Sequence, residues 1–207
     1  MPTPNTPTRR DSKKAEMQRR IVQSALKLFR AQGFASTTME DIAATADVAK
    51  RTLYSYFPAK EAIVSAYWSN NVRQSSERLP LLLKNYPDSH SRLVAVFLSA
   101  AEGFMLEPEF ARIHFSYQFQ QLGKSTKPDF HGDFEQFLIA VMETGQREGD
   151  LLQDLPANEL AQQVMFNFTA ICLMWFSDPE AVSLDARLTR AVDCFINGAA
   201  SSQQERN

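Results

Sequence analysis

A chain of 207 residues with 44% hydrophobic and 22% charged residues is long enough for one small and one larger domain and can bury a hydrophobic core. This composition argues against a largely disordered protein, and two isolated cysteines and three scattered histidines predict neither a disulfide scaffold nor a metal site. The net charge of −2 hides a division, because residues 1–60 hold eleven Lys and Arg against five Asp and Glu, whereas residues 61–207 hold eleven against nineteen. A basic end on an acidic body is typical of a protein whose basic end meets a polyanion, with a solvated basic tail as the alternative.

The first twelve residues are polar and rich in proline, and they lack the apolar core of a secretory signal. We interpret them as a disordered basic arm. The longest apolar stretch runs from Val164 to Phe176, which is about half of what a bilayer requires, and it contains Asn167 and Thr169. We therefore expect no membrane span and a location in a reducing cytoplasm.

Apolar residues recur three and four positions apart along the rest of the chain, and no segment alternates as a strand would, so the sequence predicts an all-α fold. The first helix runs from Ser12 or Lys13 to Gln32 and stops at Gly33. The run 37–41 supplies a threonine N-cap with an acid three residues on, which opens a short second helix. Residues 49–56 form a third, and a fourth runs from position 60 to about 85, long enough to link two domains.

Five more helices are predicted at 89–106, 108–122, 129–148, 157–177 and 183–200, separated by turns that carry proline or glycine, which gives about nine in total. These elements divide into a small unit at 13–60 and a larger helical bundle at 61–207. The last two helices are the most apolar, and their apolar faces predict either interior core or a dimer interface. The residues of these faces are Leu160, Val164, Phe168, Leu188, Val192 and Phe195.

The most informative motif lies in the segment 37–61, which reads TTMEDIAATADVAKRTLYSYFPAKE. It resembles the DNA-binding region of the TetR family of transcriptional regulators. The family pattern has an I-A-x-x-A run, a turn with Gly-Val, a recognition helix with T-L-Y-x-Y-F, and K-E at the start of the next helix. The matching residues are Ile42-Ala43, Ala46, Val48, Thr52-Leu53-Tyr54, Tyr56-Phe57 and Lys60-Glu61.

The resemblance implies an N-terminal helix-turn-helix domain, a C-terminal domain that binds a small-molecule inducer and forms a homodimer, and repression at a palindromic operator in a bacterial cytoplasm. The chain departs from the family pattern at Asp47, where glycine is frequent, and at Ala49 and Arg51, which replace the commoner serine and glycine. Aspartate adopts a left-handed conformation less readily than glycine, but we expect the turn to form. The two changes in the recognition helix leave the operator sequence open.

A recognition helix must be anchored on one face and exposed on the other, so that its N-terminal side chains enter a major groove roughly 12 Å wide. Val48, Leu53 and Phe57 are the predicted anchors. Arg51 is the predicted base-reading residue, because arginine donates to O6 and N7 of guanine. The residues expected to face the DNA are Lys50, Arg51, Thr52, Ser55 and Tyr56, and those expected to bind its backbone are Thr38, Thr52, Tyr54 and Lys60.

These assignments have simpler alternatives. Tyr54 and Tyr56 could pack in a three-helix core, and Lys60 could be a solvated lysine in a first helical turn. The basic arm is expected to add affinity through counterion release in preference to a minor-groove contact.

Aromatic density is high in the middle of the larger unit and suggests an apolar cavity with few polar groups, although any one of these rings is more commonly core. A buried Glu102 would favour a lipophilic cation as ligand, whereas an exposed one leaves an uncharged aromatic molecule or an acyl chain. The candidate ligand-binding residues are Trp68, Phe97, Glu102, Phe104, His114, Tyr117, Phe134, Phe137, Asn167, Cys172 and Trp175.

The predicted mechanism follows from the linking helix. A bound ligand would tilt the helix at 60–85 and change the separation of two recognition helices, which must match about 34–36 Å on B-DNA. The alternatives are a regulator of the same fold controlled by a protein partner, an activator, and a helical-bundle enzyme. The sequence has no Glu-x-x-His pair and no nucleophile or phosphate-loop motif, so we predict neither an enzyme nor a cofactor.

Overall fold

The computed structural model describes residues 9–76, 79–121, 132–178 and 182–199. Over these ranges every regular element is an α-helix, which confirms the predicted all-α fold. The helices are α1 (Arg9–Gln32), α2 (Met39–Thr45), α3 (Lys50–Tyr56), α4 (Lys60–Ser76), α5 (Leu79–Asn85), α6 (Ser89–Leu106), α7 (Pro108–Gln121), α8 (Gly132–Glu148), α9 (Ala157–Ser177) and α10 (Leu184–Ala199).

The sequence predicts one linking helix from position 60 to about 85, and the structure has α4 and α5 over this range. Residues 77 and 78, between these two segments, lie outside the described residues, so the single helix stays a prediction. The described residues contain ten helical segments, where the sequence predicts about nine helices.

The other predicted helices agree with the structure to within a few residues at each end. α1 begins at Arg9, so residues 9–12 of the predicted arm are helical, and residues 1–8 lie outside the described residues. Positions 122, 129–131 and 200, which the sequence assigns to helices, also lie outside them.

The chain divides into two compact units, and the boundary falls within α4, between Tyr67 and Trp68. The sequence places this boundary earlier, at residue 60. The first turns of α4 belong to the first unit because they carry part of its buried surface: Ile63 and Val64 are both fully buried.

The first unit is stabilised by apolar side chains from α1, α2 and α3. Ile21 and Ala25 on α1, Ile42 on α2 and Leu53 on α3 have no exposed surface. Burial of a leucine or isoleucine side chain contributes about 1.5–3 kcal/mol. Helices of seven residues are not stable in isolation, so this packing is what makes α2 and α3 form.

In the second unit α9 is the central helix. It packs against α7, α8 and α10, while α6 packs against α7, α8 and α10. By length and hydropathy α9 could also cross a bilayer, a property shared with the core helices of soluble proteins, and 44% of its most apolar segment is buried within the protein. In this structure it serves as a core helix.

The six residues predicted as interior core or dimer interface are all buried within one chain. The most exposed of them, Phe195, keeps 8% of its surface, and Leu188 and Val192 keep none. Their burial favours the core alternative, and a dimer interface on these helices stays a prediction. The six residues are Leu160, Val164, Phe168, Leu188, Val192 and Phe195.

Candidate nucleic-acid interface and ligand-binding interior

The turn between α2 and α3 is a tight left-handed connection. Asp47 adopts a φ of 52°, and the amides of Asp47 and Val48 donate to the carbonyls of Ala44 and Ala43 at 3.2 and 3.0 Å. The expectation that the turn forms with aspartate in place of glycine is confirmed. Because both amides bond back to α2, the turn sets the direction in which α3 leaves it.

The start of α2 is closed by a capping box. The hydroxyl of Thr38 accepts from the Asp41 amide at 3.1 Å, and the Thr38 amide donates to the Asp41 carboxylate at 2.9 Å. Hydrogen bonds from the Thr38 hydroxyl and amide hold the pKa of Asp41 below its usual value of 3.8. Thr38 itself is exposed, so its position is compatible with the predicted DNA-backbone contact, although its hydroxyl already donates to Asp41 at 2.7 Å.

The helix α3 has one buried and one exposed face, as a recognition helix requires. Leu53 is fully buried and Phe57, which follows the helix, keeps 4% of its surface, while Val48 is half-buried. The side chains of the opposite face reach solvent. Among the predicted DNA-binding residues the exposed ones are Lys50, Arg51, Tyr54 and Ser55, and the half-buried ones are Thr52 and Tyr56.

The hydrogen bonds of this face restrict two of its residues. The hydroxyl of Ser55 donates to the Thr52 carbonyl at 2.7 Å, so it is left as an acceptor towards a ligand. The ammonium of Lys50 pairs with the carboxylate of Glu40 on α2 and lies 5.9 Å from the centre of the Tyr54 ring. The hydrogen bond between them lowers the pKa of Glu40 and raises that of Lys50.

Sequence reasoning missed Glu40. Its position in the first turn of α2 and the turn of four residues that separates α2 from α3 are both readable from the sequence. That it meets Lys50, ten residues later, depends on the angle between the two helices, which the hydrophobic pattern does not give.

Lys60, predicted to bind the DNA backbone, has an intramolecular role in the structure. Its ammonium donates to the carbonyls of Phe34, Ala35 and Thr37 at 2.7, 3.3 and 3.1 Å. It also lies 4.4 Å from the centre of the Phe34 ring. The first turn of α4 is thereby joined to the segment between α1 and α2.

The interior of the second unit contains a cluster of aromatic rings centred on Phe168. The Phe168 ring lies 4.5 Å from that of Phe97, 6.0 Å from Phe104, 6.1 Å from Phe115 and 5.7 Å from Phe134, measured between centroids. Sequence reasoning placed Phe168 among the core or dimer residues, and its position at the centre of α9 is what brings it to the aromatic side chains of α6, α7 and α8.

Most of the candidate ligand-binding residues are in or near this apolar interior. Trp68 contacts the Phe104 ring at 5.0 Å, and His114 contacts the Phe115 ring at 5.2 Å. Burial without a charged neighbour raises the pKa of the Cys172 thiol. The buried candidates are Trp68, Phe97, Phe104, His114, Phe137 and Cys172, and the half-buried ones are Tyr117, Phe134 and Trp175.

Glu102 and Asn167 are exposed, so neither supplies the buried polar group that the ligand prediction requires. An exposed Glu102 also removes the argument for a lipophilic cation. Asn167 instead lines a solvent-open cleft of about 330 Å³ between α9 and α10, together with Gln163 and Cys194. By contrast, Thr169 Oγ1 and Trp175 Nε1 are buried polar atoms that have no hydrogen-bond partner among the described residues.

A tight α2–α3 turn, an anchored short helix and an exposed face with Lys50 and Arg51 define a helix-turn-helix protein. Residues 21–67 match the family model described as bacterial regulatory proteins, tetR family. Along most of its length the chain is similar to the HTH-type transcriptional repressor KstR2 of Rhodococcus jostii, with 21% identity over 87% of this chain and 90% of that protein. Residues 21–67 therefore form a DNA-binding region of the tetR type.

Solved structures of the family share the fold. One is FadR of Thermus thermophilus, a transcriptional repressor in complex with lauroyl-CoA, with a TM-score of 0.76, 21% identity and coverage of 92% of this chain and 98% of that one. Another is FadR of Bacillus subtilis in complex with stearoyl-CoA, with a TM-score of 0.63, 17% identity and coverage of 87% and 98%. These similar proteins are named as transcriptional repressors or regulators.

Proposed function

We propose that the protein is a transcriptional repressor that binds a palindromic operator as a homodimer and dissociates when a small apolar ligand binds its second unit. The observation that carries this proposal is α3, whose Leu53 anchor turns Lys50 and Arg51 outward at the N-terminal end of the helix. That end of a recognition helix is the part that contacts base edges in the major groove. A repressor of this kind would act in the cytoplasm, where its operators lie.

Within this proposal the residues of α3 divide by chemistry. Arg51 reads a guanine through its forked donors, and Ser55 offers an acceptor to a neighbouring base. Tyr54 and Thr52 contact the sugar-phosphate backbone, which sets the register but carries no sequence information. Thr38 at the start of α2 can take the same role when a phosphate replaces the Asp41 carboxylate, which accepts from both its hydroxyl and its amide.

Exposed apolar side chains on α9 support the homodimer. Phe166 and Met174 lie eight residues apart, on the same side of the helix, and are 47% and 64% exposed. They flank a stretch in which Asn167 also reaches the cleft between α9 and α10. Exposed apolar side chains of this kind are available to another protein, and a second copy of the chain presents the same side chains.

We propose an acyl-CoA thioester as the ligand. Two similar proteins of this fold hold lauroyl-CoA and stearoyl-CoA. An acyl chain suits the aromatic interior around Phe168, and Glu102, the carboxylate considered for this interior, is exposed. The buried Thr169 hydroxyl and Trp175 indole N–H are polar atoms that a thioester carbonyl or a water molecule could satisfy.

The test is binding of the purified protein to fragments of its own upstream DNA at a stated salt concentration. We expect one fragment with a palindrome to bind more tightly than random DNA, with two chains per site. Lauroyl-CoA is then expected to weaken that complex by roughly 5- to 150-fold, the usual range of allosteric coupling, while free coenzyme A leaves it unchanged. Selection of no fragment contradicts the repressor, whereas selection without a response to acyl-CoA contradicts only the ligand and favours control by a protein partner.

A further inference from the structure

The ammonium of Lys60 has no hydrogen-bond donor left for DNA in this structure. A lysine ammonium carries three N–H donors. Three carbonyl oxygens, those of Phe34, Ala35 and Thr37, accept from it at 2.7 to 3.3 Å. A phosphate could bind Lys60 only by displacing one of these carbonyls.

The three carbonyls belong to the turn that ends α1 and leads into α2. Gly33 stops α1 with a φ of 87°, and its amide donates to the Phe29 carbonyl at 2.9 Å. The buried Thr37 then donates from its hydroxyl to the Gly33 carbonyl at 2.9 Å. The carbonyls that follow are left without helical partners, and a cation at the C-terminal end of a helix is favourable.

The position of Lys60 in its own helix is electrostatically unfavourable. It is the first residue of α4, where the helix dipole disfavours a positive charge. The face of the Phe34 ring, 4.4 Å from the ammonium, and the three carbonyls offset this cost. A residue that its helix position disfavours, such as Lys60 here, is expected where a structural or functional contact requires it.

We infer that Lys60 is a positioning residue: it clamps the first turn of α4 to the α1–α2 turn and so fixes the start of α2, and with it the recognition helix, relative to α4. Thr37, whose carbonyl accepts from Lys60, immediately precedes the N-cap Thr38. A displacement of α4 is transmitted through this clamp to the helix-turn-helix. The inference rests on the proposed function for its consequence, but the clamp itself is a property of the free protein.

Two substitutions separate a clamp from a phosphate contact. Lys60→Arg keeps the charge, but a planar guanidinium cannot direct three donors from one atom at three converging carbonyls. Lys60→Met keeps the stem and removes the charge. Lys27→Met, at an exposed lysine of α1, is the control for loss of one positive charge.

In the full-length protein we expect both Lys60 variants, but not Lys27→Met, to melt at a lower temperature and to exchange the amides of residues 38–42 about tenfold faster or more, as loss of charged hydrogen bonds predicts. On the operator both should bind more weakly with an unchanged slope of log affinity against log salt. If Lys60→Arg instead melts and binds like the wild type, while Lys60→Met lowers the slope by about 0.9, Lys60 is a phosphate contact and the clamp is wrong.

A measurement on the unmodified protein covers the case in which a variant does not fold. Held by three carbonyls, the Lys60 ammonium protons should exchange slowly enough with water to give an Nζ–H signal by NMR at neutral pH, assigned by its correlations along the Lys60 side chain. Exchange as fast as that of Lys27 contradicts the clamp. Absence of operator selection by the wild type would contradict the proposed function alone, because the melting, exchange and ammonium measurements need no DNA.

Discussion

The guanidinium of Arg92 on α6 is buried and donates to the carboxylate of Glu148 at the end of α8, with Nη1 and Oε2 2.5 Å apart. Arg92 also donates to the carbonyls of Tyr86 and Pro87, at 3.0 and 3.2 Å. One side chain thus holds the turn between α5 and α6 against α8. The Arg92 side chain keeps 3% of its surface, and these hydrogen bonds join elements of the second unit.

We expect Arg92→Met to lower the free energy of unfolding by about 1.5–3 kcal/mol, because it removes charged hydrogen bonds and leaves two carbonyls without their donor. Glu148→Gln should cost less, since Glu148 is 45% exposed and water can replace its part of the contact. Urea unfolding of the two variants measures both values. If Arg92→Met and Glu148→Gln lower the free energy of unfolding equally, the ion pair carries the stability and the hydrogen bonds to the two carbonyls add little.

Gly145 on α8 leaves space for the hydrogen bond between Ser89, the first residue of α6, and Asp150, which follows α8. A Cβ at this position would lie 2.0 Å from Ser89 Oγ and 2.7 Å from Asp150 Oδ1, two atoms that are themselves hydrogen-bonded at 3.1 Å. Gly145→Ala is therefore expected to destabilise the protein by about 1–3 kcal/mol. Gly103→Ala is the control, because its Cβ would meet Trp68 at an ordinary 3.5 Å. Thermal unfolding should separate the two, and equal melting temperatures would contradict the packing around Ser89.

The stability of the protein should fall in acid through its capping carboxylates. Hydrogen bonds from the backbone amide and hydroxyl of Ser91 hold the pKa of Asp88 below its usual value of 3.8. A group whose pKa is lower in the folded state contributes stability that is complete above the unfolded value and is lost as the pH falls through the folded value. We expect Asp88→Asn, which keeps an N-cap side chain, to be less stable than the wild type at neutral pH and to approach it below pH 3.8. Denaturant unfolding between neutral and acidic pH tests this, and a difference that does not depend on pH would contradict it.

The pair between Glu40 and Lys50 should limit non-specific binding to DNA. Both side chains are more than half exposed, so the pair adds little stability, but it occupies an ammonium on the face that we propose binds DNA. We expect Glu40→Gln to release Lys50 to a phosphate, which raises affinity for random DNA and steepens the salt slope by up to about 0.9. Glu16→Gln removes the same charge from an exposed site on α1 and should leave the slope unchanged. Identical slopes in both variants would mean that Lys50 is not restrained by Glu40.

Local patterns predicted the helix-turn-helix well because its signals are short in range. The cap formed by Thr38 and Asp41, the anchor Leu53 and the stop at Gly33 each depend on residues within a few positions.

Contacts between distant residues could not be predicted in the same way. Lys60 meets carbonyls 23 to 26 residues earlier, and carbonyls have no sequence signature. Phe168 and Leu188 lie on strongly apolar helical faces, which a core and a dimer interface produce alike, and only the packing of one chain distinguishes them. The exposure of Glu102 could not be predicted either, because the apolar residues beside it in the sequence need not surround its side chain in space.

The most direct test of the account is the base preference of Arg51. Wild type and Arg51→Ala should be compared on a set of operators that differ from the selected palindrome at one base pair per half-site, at one salt concentration. We predict that Arg51→Ala loses about 1–3 kcal/mol of discrimination at a single base pair in each half-site and keeps the wild-type preference elsewhere. If Arg51→Ala weakens every operator by the same factor, Arg51 binds the DNA backbone, and the N-terminal end of α3 is not the part of this protein that reads the sequence.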